Sequence, residues 1–153
     1  MINKNQLTER SFTPSQLSGF DGAHSIQLPV DFIHDLSKAD SLQAVLDTIA
    51  YWISHVFDAD RASITLQDTE EYLKLYSISG NHAIPMDFKI PIGQTFVGRV
   101  FAQSQLIICD DLAQSDELDC QMLSEHGMGT CMDAPMIHNG VCIGTLNVAD
   151  QRK

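Results

Sequence analysis

Basic residues are scarce in this 153-residue sequence. It has nine Lys and Arg against 20 Asp and Glu, which gives a formal net charge of −11. Proteins that bind DNA or RNA neutralise phosphates with basic side chains, so this charge argues against a nucleic-acid partner. An anionic membrane surface would repel the chain for the same reason.

Long apolar runs are also missing. None reaches the ~18 to 20 residues that a membrane-spanning helix needs, and the first thirty residues lack the basic-then-apolar order of a signal peptide. We therefore predict no membrane association and a cytoplasmic location. The hydrophobic content of 44% is enough for one globular domain with its own core.

Spacings typical of metal and phosphate sites do not occur. The six histidines include no His-x-x-x-His pair, and there is no Gly-rich phosphate loop with its Lys and no Gly-x-Ser-x-Gly elbow. The four cysteines lie 11 residues apart, but no two have the Cys-x-x-Cys spacing of a zinc site. They are Cys109, Cys120, Cys131 and Cys142. The sequence thus predicts no metal, names no cofactor and does not require an enzyme.

Regular secondary structure is predicted from residue 28 onwards. Residues 1–27 show no sustained period, and we predict a flexible arm there. Pro29 suits the first turn of a short helix. Apolar residues from Leu42 to Val56 then follow i, i+3, i+4, i+7 spacing, which predicts an amphipathic helix from Ser41 to about Phe57.

Strand patterns follow this helix. Residues 62–66 and 72–78 indicate a hairpin, residues 88–92 and 106–109 indicate shorter strands, and Asn139-Gly140 between two apolar runs predicts a terminal hairpin. One short helix is predicted after Gly93, and another from an N-cap at Ser115 to His126. The order indicates an α+β fold with an antiparallel sheet, in which the segment 80–129 crosses one face and encloses a pocket.

Five segments of the sequence, in this order, resemble the GAF domain family. They are Ser41-Leu-Gln-Ala-Val-Leu-Asp-Thr-Ile, Ala59-Asp-Arg-Ala-Ser-Ile-Thr-Leu, Ile90-Pro-Ile-Gly-Gln-Thr-Phe-Val-Gly-Arg-Val, Ile107-Ile-Cys-Asp-Asp-Leu and Ala134-Pro-Met-Ile-His-Asn-Gly-Val-Cys-Ile-Gly-Thr-Leu-Asn-Val. The resemblance implies a six-stranded antiparallel sheet between a helical layer and a pocket-forming crossover layer. It assigns residues 28–153 to the domain, and we expect its C-terminal helix to lie beyond residue 153.

Alternation along the last two strands selects the pocket residues. Cys131 and Asp133 share one face of the first strand, and Thr145 and Asn147 share one face of the second. In similar domains this polar face looks into the pocket. The crossover residues that would form its walls are Phe96, Val97, Ile108, Met122 and His126.

Asp133 is the most informative of these residues. A carboxylate among apolar strand residues costs several kcal/mol if it is buried without a partner, so it needs a donor, water or a ligand. Asn147 is one candidate partner. The alternative is that backbone amides of the crossover satisfy Asp133 and that no ligand is involved.

Specialised relatives of the family have characteristic residues that can be compared with this sequence. The resemblance implies that the redox cysteines of the free methionine sulfoxide reductases fall at the positions of Phe88, Val97 and about Ser124. None of these residues is a cysteine in this sequence. The substrate-binding carboxylates of these reductases fall near Cys131, Asn147 and Ala149, and these are also absent. Bilin-binding relatives often have a crossover Cys followed by His, whereas Cys120 is followed by Gln121, and the Asn-Lys…Phe-x-x-x-Asp-Glu signature of cyclic-nucleotide-binding relatives does not occur.

The leading hypothesis is a non-catalytic, small-molecule-sensing or regulatory module. Its expected partners are an effector domain in the same parent chain and a second copy, which would dimerise through the helices. One alternative is a constitutive dimerisation domain without a ligand. The other is a thiol redox enzyme of the free methionine sulfoxide reductase type that uses Cys109, Cys120 or Cys131.

Overall fold

The computed structural model describes residues 8–17 and 27–151. The strands in these residues are β1 (Glu9–Phe12), β2 (Arg61–Gln67), β3 (Tyr72–Gly80), β4 (Lys89–Pro91), β5 (Leu106–Cys109), β6 (Thr130–His138) and β7 (Val141–Asp150). The α-helices are α1 (Pro14–Leu17), α2 (Val30–Lys38), α3 (Leu42–Val56), α4 (Phe96–Gln103) and α5 (Leu118–Glu125). No helix in the described ranges is long and apolar enough to cross a membrane.

All seven strands form one antiparallel sheet in the order β1-β5-β6-β7-β2-β3-β4. The predicted α+β class and antiparallel sheet are confirmed. The strand count is seven rather than six, because β1 pairs with β5 at the edge of the sheet. This strand lies in the segment for which the sequence predicts a flexible arm; the other parts of that arm, residues 1–7 and 18–26, lie outside the described residues.

The helical layer covers one face of the sheet through α3. The helix begins at Leu42, one residue after the predicted start, because Ser41 caps it by accepting a hydrogen bond from the Ala44 amide at 3.0 Å. Leu46 and Ala50 pack on Ile64 of β2 in a buried cluster. This burial explains why an amphipathic sequence is helical here, since most helical stability in proteins comes from packing of the apolar face.

The crossover layer covers the opposite face and consists of α4, α5 and the connections around them. Its buried core is the larger of the two and includes Phe96 and Val100 from α4 together with Leu75 of β3. Arg99 of α4 fixes this layer to the edge strand, because its guanidinium bonds to Glu9 of β1 at 2.6 Å and to Glu117 at 2.7 Å. The predicted arrangement, with helices on one face and the crossover on the other, is confirmed.

Two local predictions have opposite outcomes. Asn139 and Gly140 have φ values of 50° and 79°, so the predicted hairpin turn between β6 and β7 is confirmed. The predicted N-cap at Ser115 is wrong, because α5 begins at Leu118 with Glu117 at the N-cap position. Ser115 ends a preceding 3₁₀ turn, and its hydroxyl accepts the Glu117 amide at 3.2 Å, a local turn that competes with helix initiation.

Candidate functional site

A small cavity lies between the sheet and the crossover layer. The space open to the centre of a water molecule is about 30 Å³. By this measure one water needs roughly 10–15 Å³, so the cavity has room for about two. The polar side chains that line it are Arg61, Ser63, Thr65, Asp119, Asp133 and Asn147, and Val97 and Leu123 are among its apolar walls.

Strand register explains how three of these polar residues come together. Asp133 of β6 is the cross-strand partner of Asn147 of β7, and Asn147 is in turn the partner of Ser63 of β2. Directly opposite residues on neighbouring strands point to the same face of the sheet. The three side chains therefore form a polar row. Cys131, Asp133 and Asn147, which alternation along the strands selects, all line the cavity.

Arg61 is the buried cation of the cavity, with only 3% of its surface exposed. Its Nη1 donates to the Asn81 carbonyl oxygen at 2.6 Å and its Nη2 to the Ile84 carbonyl oxygen at 3.3 Å. Burial lowers the pKa of Arg61 to about 10, while Asp133 opposes that shift, so the guanidinium is charged at neutral pH. The sequence pattern does not predict Arg61 as a cavity residue; its one signal is an Arg at the start of an apolar strand.

Asp119 joins the two crossover helices. Its Oδ1 accepts the Phe96 amide at 2.8 Å and its Oδ2 accepts the Val97 amide at 3.0 Å. Thr95 caps the same turn by accepting the Gly98 amide at 3.0 Å. A carboxylate of α5 thus satisfies amides at the N-terminus of α4, where the helix dipole also favours negative charge. Burial nevertheless raises the pKa of Asp119, against the effect of these hydrogen bonds.

Asp133 has no such partners, although it is 5% exposed. Its carboxylate borders the cavity and makes no hydrogen bond or ion pair with any residue that the structure describes. The backbone-amide alternative is not supported, because no backbone amide of the described residues donates to Asp133 and the amides of Phe96 and Val97 donate to Asp119 instead. Burial raises the pKa of Asp133 well above its usual value, the charge of Asp119 raises it further, and Arg61 opposes both.

Asn147 does not satisfy Asp133 either. Its Nδ2 donates to the Ser63 hydroxyl at 3.2 Å. Its Oδ1 is enclosed and is the one such buried side-chain atom without a hydrogen-bond partner within residues 8–17 and 27–151. Buried polar atoms are nearly always paired with protein or water, so both Asp133 and Asn147 have unfilled acceptor positions at the cavity.

The other predicted pocket residues are in three different settings. Val97 lines the cavity, whereas Phe96 is fully buried in the crossover core and Met122 packs against that core. Thr145 is fully buried, and its hydroxyl pairs with that of Thr65, a cavity residue, at 2.6 Å. Phe96, Met122 and Thr145 therefore pack around the cavity and do not line its surface.

Ile108 and His126 lie away from the cavity, which corrects their prediction as walls. Ile107 and Cys109 point into the crossover core, so alternation directs Ile108 to the other face, where it lies near Met132. His126 follows the C-terminal end of α5 and is exposed; its Nδ1 donates to the Met122 carbonyl oxygen at 2.9 Å.

Three cysteines lie together beneath the cavity. Cys109 and Cys131 are cross-strand partners, Cys120 is fully buried beside them, and none of the three exceeds 4% exposure. Burial raises the pKa of Cys109 to about 12. A hydrogen bond with Cys120, together with burial, raises the pKa of Cys131 well above its usual value. In the part of the chain that the structure describes, no group of three His, Cys, Asp or Glu side chains is placed to hold a metal.

The fold is shared with solved structures of low sequence identity. The GAF domain of a phosphoenolpyruvate-protein phosphotransferase from Coxiella burnetii is 18% identical with a TM-score of 0.69, over 80% of this chain and 74% of that one. Free methionine-R-sulfoxide reductase from Neisseria meningitidis, solved with its substrate, is 18% identical with a TM-score of 0.67, over 84% and 81%.

A third similar structure is the NreA protein of Staphylococcus aureus, mutated in its nitrate binding site, at 16% identity and a TM-score of 0.56, over 72% of this chain and 83% of that one. No curated protein matches the sequence. The sequence model of the GAF domain family matches residues 41–153, which is most of the chain. The protein therefore belongs to the GAF domain family.

Proposed function

We propose that this GAF domain is a non-catalytic regulatory module that binds a small molecule in the cavity between its sheet and its crossover layer. The observation that carries the proposal is the unpaired Asp133 carboxylate, beside the unpaired Oδ1 of Asn147. A buried polar group without a partner costs about 1–3 kcal/mol, and more when it is charged. A ligand that supplies hydrogen-bond donors removes that cost, so these residues suit a binding site.

Strand β2 provides a route from the cavity to the helical layer. Arg61 and Ser63 face the cavity, while Ile64 packs against α3 on the other face. A ligand regulates through this strand if it binds two arrangements of the layers with different affinities. Exposed apolar residues on the helices, Ile33 at 54% and Leu42 at 62%, support the further proposal that the helical layer dimerises or contacts an effector domain of the parent chain.

The alternative of a dimerisation domain without a ligand predicts a cavity filled by crossover side chains. About 30 Å³ stays open instead, and its mainly apolar lining includes the charged side chains of Arg61, Asp119 and Asp133. The open, charged cavity supports ligand binding over a purely structural role. Cytoplasmic location stays a prediction.

Thermal unfolding in the presence of a metabolite and nucleotide panel tests the proposed function. A compound present at about 100 times its dissociation constant should add ~2.7 kcal/mol to the free energy of unfolding. Ala149→Leu places a larger side chain in the cavity and should abolish the response, whereas Ala134→Leu, on the other face of the sheet, should keep it. If no compound changes the melting temperature, the ligand-free alternative is favoured.

The cysteines are expected to be inert in the folded protein. Thiolate is the reactive form, and the raised pKa values of Cys109 and Cys131 keep both thiols protonated at neutral pH. Alkylation with iodoacetamide at pH 7, followed by mass spectrometry, should label these two and the buried Cys120 only after denaturation. Half-buried Cys142 serves as the internal comparison. Rapid labelling of Cys109, Cys120 or Cys131 in the native state would instead favour the redox-enzyme alternative.

A further inference from the structure

The charges at the cavity do not balance. Asp119 and Asp133 are carboxylates, and Arg61 is the one cationic side chain among the described residues that line the cavity. When all three are ionised the cavity has a net charge of −1. Arg61 directs its hydrogen bonds to the carbonyl oxygens of Asn81 and Ile84, and it is absent from the ion pairs found among the described residues.

The groups at the cavity that lack a hydrogen-bond partner are acceptors, which suits a cavity with an excess negative charge. Asp119 already accepts backbone amides with both oxygens. The carboxylate of Asp133 and the Oδ1 of Asn147 remain, and both are acceptors. These two residues are cross-strand partners, so their Cβ atoms are roughly 4.5–5.5 Å apart and one ligand group can reach both.

Three properties of the cavity restrict what can fill it. Its net charge of −1 favours a monocation, and its unpaired acceptors favour a ligand with N–H donors. Its space of about 30 Å³ limits the ligand or head group to a few atoms. No aromatic ring is among the described lining residues, so the cation–π contacts that hold quaternary ammonium groups are missing.

We propose that the cavity binds a primary ammonium group, which donates hydrogen bonds to Asp133 and to the Oδ1 of Asn147. This inference rests on the proposed function, because it names the ligand class of the same site. The bound cation neutralises the excess charge, and its N–H groups fill the acceptors that the protein leaves unpaired. Without it, a proton on Asp133 is the alternative source of neutrality.

Methylammonium is the smallest direct probe. The whole chain should be melted at neutral pH in methylammonium chloride, and separately in potassium chloride and tetramethylammonium chloride at the same concentrations. Methylammonium at about 100 times its dissociation constant should raise the melting temperature by roughly 5–10 °C. The other two cations lack N–H donors and should cause no such rise.

Asp133→Asn provides the matched variant, since it removes the charge and keeps the shape. It should lose the methylammonium response while the ligand-free protein still unfolds cooperatively. Asp116→Asn is the control, because Asp116 is an exposed carboxylate of the same crossover, and this variant should respond as the unchanged protein does. An Asp133→Asn protein that keeps the response overturns the proposal, as does an equal response to potassium.

The panel experiment separates this inference from the proposed function. If a neutral or anionic compound raises the melting temperature and methylammonium does not, the ammonium assignment is wrong and ligand binding stands. If neither methylammonium nor any panel compound acts, both proposals fail. A response to methylammonium that Asp133→Asn abolishes supports both.

Discussion

Replacing Asp119 with alanine is expected to lower the free energy of unfolding by about 2–4 kcal/mol. The substitution leaves the amides of Phe96 and Val97 without acceptors, and both residues are at most 5% exposed. Each unsatisfied buried donor costs about 1–3 kcal/mol, and the relief of burying one carboxylate fewer offsets part of the sum. Urea unfolding followed by tryptophan fluorescence measures the change.

Two variants make this result specific. Asp119→Asn keeps one acceptor oxygen and should have an intermediate stability. Asp116→Ala, three residues earlier and exposed, should change stability by less than about 0.5 kcal/mol. Equal stabilities of Asp119→Ala and Asp116→Ala would show that the carboxylate does not hold α4 in place.

Gly98→Ala should destabilise the protein by about 3 kcal/mol or more. A Cβ atom at this position would lie 2.2 Å from the Ile92 carbonyl oxygen and 2.5 Å from the Ile92 Cα. Both are backbone atoms, so α4 or the turn before it must move, and such overpacking costs more than a side-chain adjustment does. Since α4 carries Val97, the variant should also weaken any ligand response measured by thermal unfolding.

Gly93→Ala is the matched control for this prediction. A Cβ atom there meets no atom within 4 Å, and Gly93 is not among the residues of positive φ. The change should be neutral or add about 0.4–1 kcal/mol, because alanine has fewer unfolded conformations than glycine. If Gly98→Ala is as stable as Gly93→Ala, the close approach of α4 to Ile92 is not a constraint.

Local patterns in the sequence predict the parts of the fold that depend on neighbouring residues. The apolar stripe locates α3, and Asn139-Gly140 locates the last hairpin. Alternation then identifies Asp133 and Asn147 as cavity residues, because side-chain direction in a strand depends on parity alone. The prediction of Ile108 as a wall does not use parity, and burial alternates along β5 so that Ile108 lies on the other face.

The missed features depend on contacts between distant parts of the chain. The Arg61 partners are carbonyl oxygens of the irregular segment 81–84, which has no period to detect. Asp119 has the sequence appearance of an ordinary acid in the first turn of a helix, yet its hydrogen bonds go to a different helix. Likewise β1 is only four residues long, and its pairing with β5 has no local signal.

The ion pairs of Arg99 connect the edge strand β1 to the helix that forms part of the cavity wall. Arg99 joins Glu9 of β1 to α4, the helix that also supplies Val97 to the cavity wall. We therefore expect the pairing of β1 with the sheet and the position of α4 to be coupled, with the same coupling free energy in both directions. A partner that competes for the edge of β5 would displace β1, release Glu9 and loosen the cavity wall. If the cavity binds a ligand as proposed, the edge of the sheet would thus be a second place from which its wall could be moved.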